Sequence, residues 1–146
     1  MGVRNAEWKL AELMVNKEVD KFIRDIGRLD RFCRSALNEV LALHEQLVCL
    51  AQEVTGRVEN SFCAKYLSFH YPKIIPIFDN YAYGKSWELA GRDLPKGLYI
   101  ANKNVDYCYH CEAVIRLMGL LLETGVAEPD IKVIDYVLYS SGAGYL

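Results

Sequence analysis

The sequence predicts an all-α fold: a compact array of about six or seven helices forming a single domain over residues 1–146. Three observations predict it. Apolar residues recur at steps of three and four in one segment after another. Glycine or proline closes most of those segments. The best strand-like run, 71–78, is broken by Pro72 and Pro76.

In chain order, Trp8, Leu10, Leu13 and Met14 give an amphipathic set over 6–16. Val19, Phe22, Ile23 and Ile26 give a second over 18–27, ending near Gly27. Asp30 reads as the N-cap of the longest helix, 30–55, stopped by Gly56. Its wide apolar stripe includes Phe32, Val40, His44, Leu47 and Val48, which suits a central helix packed on several sides. A fourth helix covers about 61–70, capped by Asn60 or Ser61 and ended by Pro72. A fifth opens at Asp79 and ends near Gly91, and 91–103 reads as a loop. A sixth spans about 104–124, with Val105, Cys108, Ala113, Leu117, Leu120 and Leu121 inward and Gly125 as its stop. The seventh starts at Pro129, a favoured first-turn position, and the glycine-rich tail 140–146 reads as loose.

Composition bounds function. At 52% hydrophobic residues the chain can bury a substantial core. A net charge of −2 argues against a general nucleic-acid binder. The charge is uneven, however: residues 57–103 carry seven basic and four acidic side chains, and 104–146 carry two and six. The apolar run at 117–122 is too short to span a bilayer, so no membrane partner is expected. The first residues alternate apolar and charged, unlike a signal peptide. Five scattered cysteines then read as reduced thiols of a cytoplasmic protein.

Chemistry concentrates in 61–84. Lys65 lies in the fourth helix among Phe62, Tyr66 and Phe69, close to a positive helix end. That is the environment an imine-forming amine needs. The plainer reading is a side chain whose stem runs along the core with its head in water. Asp79, at the start of the next helix, is equally a helix cap. The pair is expected to face one cleft. His70, which can also simply bond the last carbonyls of its helix, would contact a ligand near Asp79. Tyr66, Phe78 and Tyr81 belong to an aromatic cluster able to stack a base, or to the core. Cys108-Tyr109-His110-Cys111 is a CxxC without a second ligand pair, so ordinary core cysteines and no bound metal are expected.

The order Lys65, apolar helix, Pro76-Ile77-Phe78-Asp79, helix resembles the helix-hairpin-helix DNA glycosylase superfamily. It is most similar to the 8-oxoguanine glycosylase branch and its small bacterial relatives. Ser61-Phe62-x-x-Lys65-Tyr66-Leu67-x-Phe69-His70 and Asp135-Tyr136-Val137-Leu138-Tyr139-x-x-Gly142 are similar to those relatives too. The resemblance implies a DNA glycosylase-like array and a base-excision glycosylase/lyase. Lys65 would attack the sugar C1′ of a flipped nucleotide, and Asp79 would stabilise the developing charge, with no cofactor. The Gly-x-Gly hairpin usual before the lysine is replaced by Val58-Glu59-Asn60-Ser61. The Lys-to-Asp separation of 14 residues is short for the family, and one extra residue stands between proline and aspartate. The expectation is therefore weak, salt-dependent DNA binding. The alternative is a non-enzymatic helical interaction module on the same scaffold, marked by an exposed apolar patch. A redox or metal-responsive role for Cys108 and Cys111 is a third reading.

Overall fold

The computed structural model describes residues 11, 12, 15, 19–91 and 104–145. They form an all-helical array with no strand among them. The helices are α1 (Val19–Ile26), α2 (Leu37–Thr55), α3 (Asn60–His70), α4 (Asn80–Ala90), α5 (Val105–Glu123) and α6 (Ile131–Gly142), with a short 3-10 turn at Arg34–Ala36 before α2. Most of the expected helix at 6–16 and the loop 92–103 lie outside the described residues.

One core joins all six helices. Phe32, Val40, Leu47, Val48, Leu67, Ile75, Tyr107, Val114 and Leu138 are among its fully enclosed side chains. α2 runs through its middle, as its wide stripe requires, and ends where Gly56 takes a left-handed φ of 71°. α2 and α5 are equally long at 19 residues, so among the described helices no single one is longest.

Four boundaries differ from the sequence expectation. Asp30 is exposed and caps nothing. The chain stays extended past it because Phe32 enters the core and its N–H donates to the Lys73 carbonyl at 3.0 Å. α2 begins only at Leu37, with Ala36 as an N-cap that offers no side-chain acceptor. α3 starts at Asn60, so Glu59 rather than Asn60 or Ser61 is its cap residue, again without a side-chain bond. Pro129 lies just before α6, whose cap is Asp130, its Oδ1 accepting the Lys132 N–H at 2.8 Å. The tail is helical to Gly142 and then turns back, the Tyr145 N–H donating to the Ser140 carbonyl at 2.8 Å.

The faces of α3 are also reversed. Its inward residues are the small ones, Cys63, Ala64 and Ser68, with Leu67. Its aromatics lie at the rim or outside, and Phe69 is 85% exposed. Similarly, Leu120 of α5 points out rather than in.

Candidate functional site

The connection between α3 and α4 is short and fully committed. Pro72 ends α3, a turn follows, and Ile74 and Ile75 are buried. Residues 76–79 then pass between α5 and α6, and three of their polar backbone groups are bonded by side chains of those helices. The Tyr107 hydroxyl donates to the Pro76 carbonyl at 3.1 Å. His110 Nε2–H donates to the Ile77 carbonyl at 2.8 Å. The Ile77 N–H donates to Asp135 Oδ2 at 3.1 Å. Phe78 is a core residue, its ring packed near those of Tyr83, Tyr107 and His110.

Asp79 follows, extended, and caps α4: Oδ1 accepts the Ala82 N–H at 2.8 Å. The residue keeps 8% of its surface accessible, and its second oxygen bonds no described residue. The carboxylate thus has one oxygen committed to the fold and one uncommitted. Its charge also reaches the buried His110 ring on α5 and favours the protonated form there.

Lys65 is exposed, and among the described residues it has neither an ion-pair nor a hydrogen-bond partner. It sits one turn before Ser68 and one turn before Phe69, on the outward side of α3. His70 is exposed at the end of the helix and stacks edge-on with Tyr66, ring centres 5.0 Å apart. Tyr66 is half-buried, and burial raises its phenol pKa above the ordinary value. Tyr81 is exposed in the first turn of α4.

α6 ties these pieces together, and sequence reasoning about the lysine and aspartate did not find it. Lys132 Nζ donates to Ser68 Oγ on α3 at 2.5 Å and to Asp135 Oδ2 at 2.9 Å, and Asp135 holds Ile77. Gly142 lies so close to α4 that a Cβ there would overlap the Tyr81 carbonyl. The stretches 61–84 and 129–142 therefore meet in space, through Lys132 on Ser68, Asp135 on Ile77 and Gly142 against Tyr81. A signal was present: Asp135 falls inside the apolar stripe Ile131, Ile134, Leu138, where a carboxylate must find a partner. Burial raises the Asp135 pKa, Lys132 opposes the rise, and Oδ1 is enclosed without a partner among the described residues.

A second polar cluster lies deeper. His44 Nε2–H donates to the Asn60 carbonyl at 3.1 Å, and its Nδ1 accepts from the Asn104 side-chain amide at 3.1 Å. Asn104 also donates to the Leu41 carbonyl, and the His44 ring stacks on Tyr107 with centres 3.7 Å apart. Burial drives the His44 pKa down to about 3. Cys108 and Cys111 are fully enclosed beside this cluster. Burial pushes the Cys111 thiol well above its usual range. Among the described residues no three His, Cys, Asp or Glu side chains converge in a way that could hold a metal.

Two apolar hollows lie away from these residues. One, of about 590 Å³, is lined by Val19 and one face of α2. The other, of about 290 Å³, runs between α5 and α6, with Leu89, Leu120, Val133 and Val137 on its walls. Neither is lined by Lys65 or Asp79. Compared with protein-family models, curated proteins and solved structures, the chain matches none.

Proposed function

We propose that this chain is a DNA glycosylase-like protein, a base-excision glycosylase/lyase in which Lys65 is the imine-forming nucleophile and Asp79 its carboxylate partner. The observation that carries the reading is the state of the lysine. It stands in solvent, without a partner among the described residues, one turn from an exposed phenylalanine. An exposed lysine on its own is an ordinary surface residue; this one stands near an exposed ring, at the place the glycosylase resemblance gives the nucleophile. A nucleophile must be reachable, and an extruded base needs a ring to stack on.

In this reading a nucleotide is flipped toward α3 and its base rests against Phe69. The Lys65 head group passes a proton to solvent water, and its nitrogen then attacks C1′ with the freed lone pair. The glycosidic bond breaks, its electrons leave with the base, and the base takes a proton from solvent. The attacking nitrogen then loses a proton, the sugar ring opens and a Schiff base forms. Water hydrolyses that imine, or loss of the 3′ phosphate by elimination cuts the strand. The open oxygen of Asp79 bears on the positive charge that develops at the sugar as the amine adds and the base leaves, while its other oxygen keeps the first turn of α4 in place. Phe78 acts from behind, as packing under that turn.

The alternative, a non-enzymatic helical module, draws on the apolar groove between α5 and α6. Borohydride trapping separates the two. Wild-type protein with abasic, oxidised-base and mismatched oligonucleotides is expected to give a covalent adduct that Lys65→Ala abolishes, with the helical signal unchanged. No adduct on any of these, duplex or single-stranded, would reject the enzyme and leave the module.

A further inference from the structure

We infer that the flank of α6 beside α3, together with the first turn of α4, is a binding surface for unpaired single-stranded DNA, with Tyr136, Tyr139 and Tyr81 as its stacking rings. The choice of DNA as occupant rests on the reading of Lys65 above; the surface rests on four observations of its own.

The first is position. Lys132, Tyr136 and Tyr139 lie at helical steps of four and three, so they share one flank of α6. That flank is the one facing α3, because Lys132 reaches Ser68. It is also the one facing α4, because the Tyr139 ring meets Tyr81 edge to face with centres 6.0 Å apart. Tyr145 extends the row, 6.4 Å from Tyr139.

The second is exposure. These four tyrosines keep between 41% and 74% of their surface in solvent. No hydroxyl of the four bonds a described residue, so nothing in the described fold explains why they are tyrosines.

The third is charge. The carboxylates of this region, Asp135 and Asp79, are buried, whereas Lys65 is exposed and the Lys132 side chain is 31% exposed. The face shown to solvent is therefore rings with the Lys65 ammonium and the partly exposed, Asp135-paired ammonium of Lys132, complementary to bases on a phosphate backbone. Asp130, at the start of α6, bounds it at one end.

The fourth decides between single strand and duplex. Two lysines on a chain of net charge −2 give little phosphate grip, which is the main source of duplex affinity. Ring stacking needs base faces that a duplex hides.

Fluorescence anisotropy of wild-type protein with a labelled thymidine oligonucleotide, without borohydride, tests this. Binding should be tighter to the single strand than to the matched duplex, with a shallow salt dependence reflecting about two phosphates. Tyr136→Ala with Tyr139→Ala should weaken it about tenfold or more, and the double Phe variant should stay within about twofold of wild type. Circular dichroism checks that each variant is folded. No binding of the single strand, the result a protein-docking face would give, overturns the inference. So does tighter duplex binding, or ring removal without effect. Ring-dependent binding with no trapped adduct supports this surface and rejects Lys65 as a nucleophile. An adduct whose yield and affinity ignore the rings does the reverse.

Discussion

α3 and α5 invert each other. α3 turns small residues inward and leaves its aromatics at the rim, with Phe69 and Lys65 in solvent. α5 turns Tyr107, His110 and Glu112 inward, with Asn104 just ahead of it, and leaves Leu120 and Leu122 outside. Each side of this exchange has a physical reason. Small side chains let the backbone of α3 come close to its neighbours, so the 61–70 segment can be short and still well seated. The polar groups of α5 serve a chain segment, 76–79, that has no helix or sheet to satisfy its own backbone. Without Tyr107 and His110 the Pro76 and Ile77 carbonyls would be buried and bare. The site that α3 displays thus depends on α5 for its shape. α3 shows Lys65 and Phe69 to solvent, while α5 satisfies the buried backbone behind them.

The largest expected effect is therefore on α5. Tyr107→Ala removes a fully buried ring, its stack on His44 and the bond to Pro76. Unfolding in urea should show a loss of about 3–5 kcal/mol, the range for aromatic truncation in a core. Tyr107→Phe keeps the ring and leaves one buried carbonyl unpaired, a loss of about 1–3 kcal/mol. Equal losses from the two variants would mean that the bond, not the packing, is what α5 supplies.

The next effect is on pH dependence, and it sharpens the contrast between the two buried histidines. Both have pKa values lowered by burial, to about 3 for His44 and about 4 for His110. A histidine whose folded pKa lies below its unfolded value of about 6.5 stabilises the fold fully above that unfolded value. The contribution is lost as pH falls from about 6.5 toward the folded pKa, at about 1.4 kcal/mol per pH unit. The two differ in what a second proton would meet. His44 Nδ1 faces the Asn104 amide, a donor, so protonation sets two donors against each other. His110 Nδ1 faces Ser86 Oγ, which can accept while its own hydroxyl donates to the Tyr83 carbonyl. Down to about pH 4 both histidines contribute to the loss, and below that, where folded His110 takes up its proton, the further loss should run through His44. Asp135, with its pKa raised by burial, works the other way and offsets part of it at the acid end. Urea midpoints measured from pH 7 to 4.5 should fall steadily in the wild type and about half as steeply in His44→Gln, where His110 still contributes. A flat wild-type profile would show that water reaches the ring.

Much of the fold was legible because it depends on local rules. The helix periods, Gly56 and the Asp79 cap follow from spacing and backbone preference within one or two turns. Where long-range partners decide, the sequence misled. Asp30 looks like a cap, but burial of Phe32 and its bond to Lys73, 41 residues on, keep the chain extended there. Phe62, Tyr66 and Phe69 look like the core face of α3, but close packing excludes large rings from the true one. Of the candidate site, Lys65 and Asp79 were visible as residue types in order. The Lys132–Asp135 clasp joining their two helices was not, since it depends on where α6 docks. His44 shows the same limit. It sits in an apolar stripe in the sequence, but its partners Asn60 and Asn104 come from two other segments.

The smallest expected effect on stability falls at the other pole of the comparison, at Phe69. With 85% of its surface in water, this ring contributes little to the core. Phe69→Ser should change the urea midpoint by no more than the usual surface range, about ±0.5 kcal/mol. Its edge contact with His70, ring centres 5.7 Å apart, is solvated and adds little to that. The same change removes an exposed ring one turn from Lys65. If a base rests there, adduct yield in the trapping assay should drop about tenfold, while Phe69→Tyr, which keeps a face to stack on, should hold close to wild type. The two readouts pull apart only if the ring belongs to a ligand site. A stability loss above about 2 kcal/mol would instead place Phe69 among buried side chains, outside the surface range, and would undo the inversion of α3 on which the exposed lysine depends.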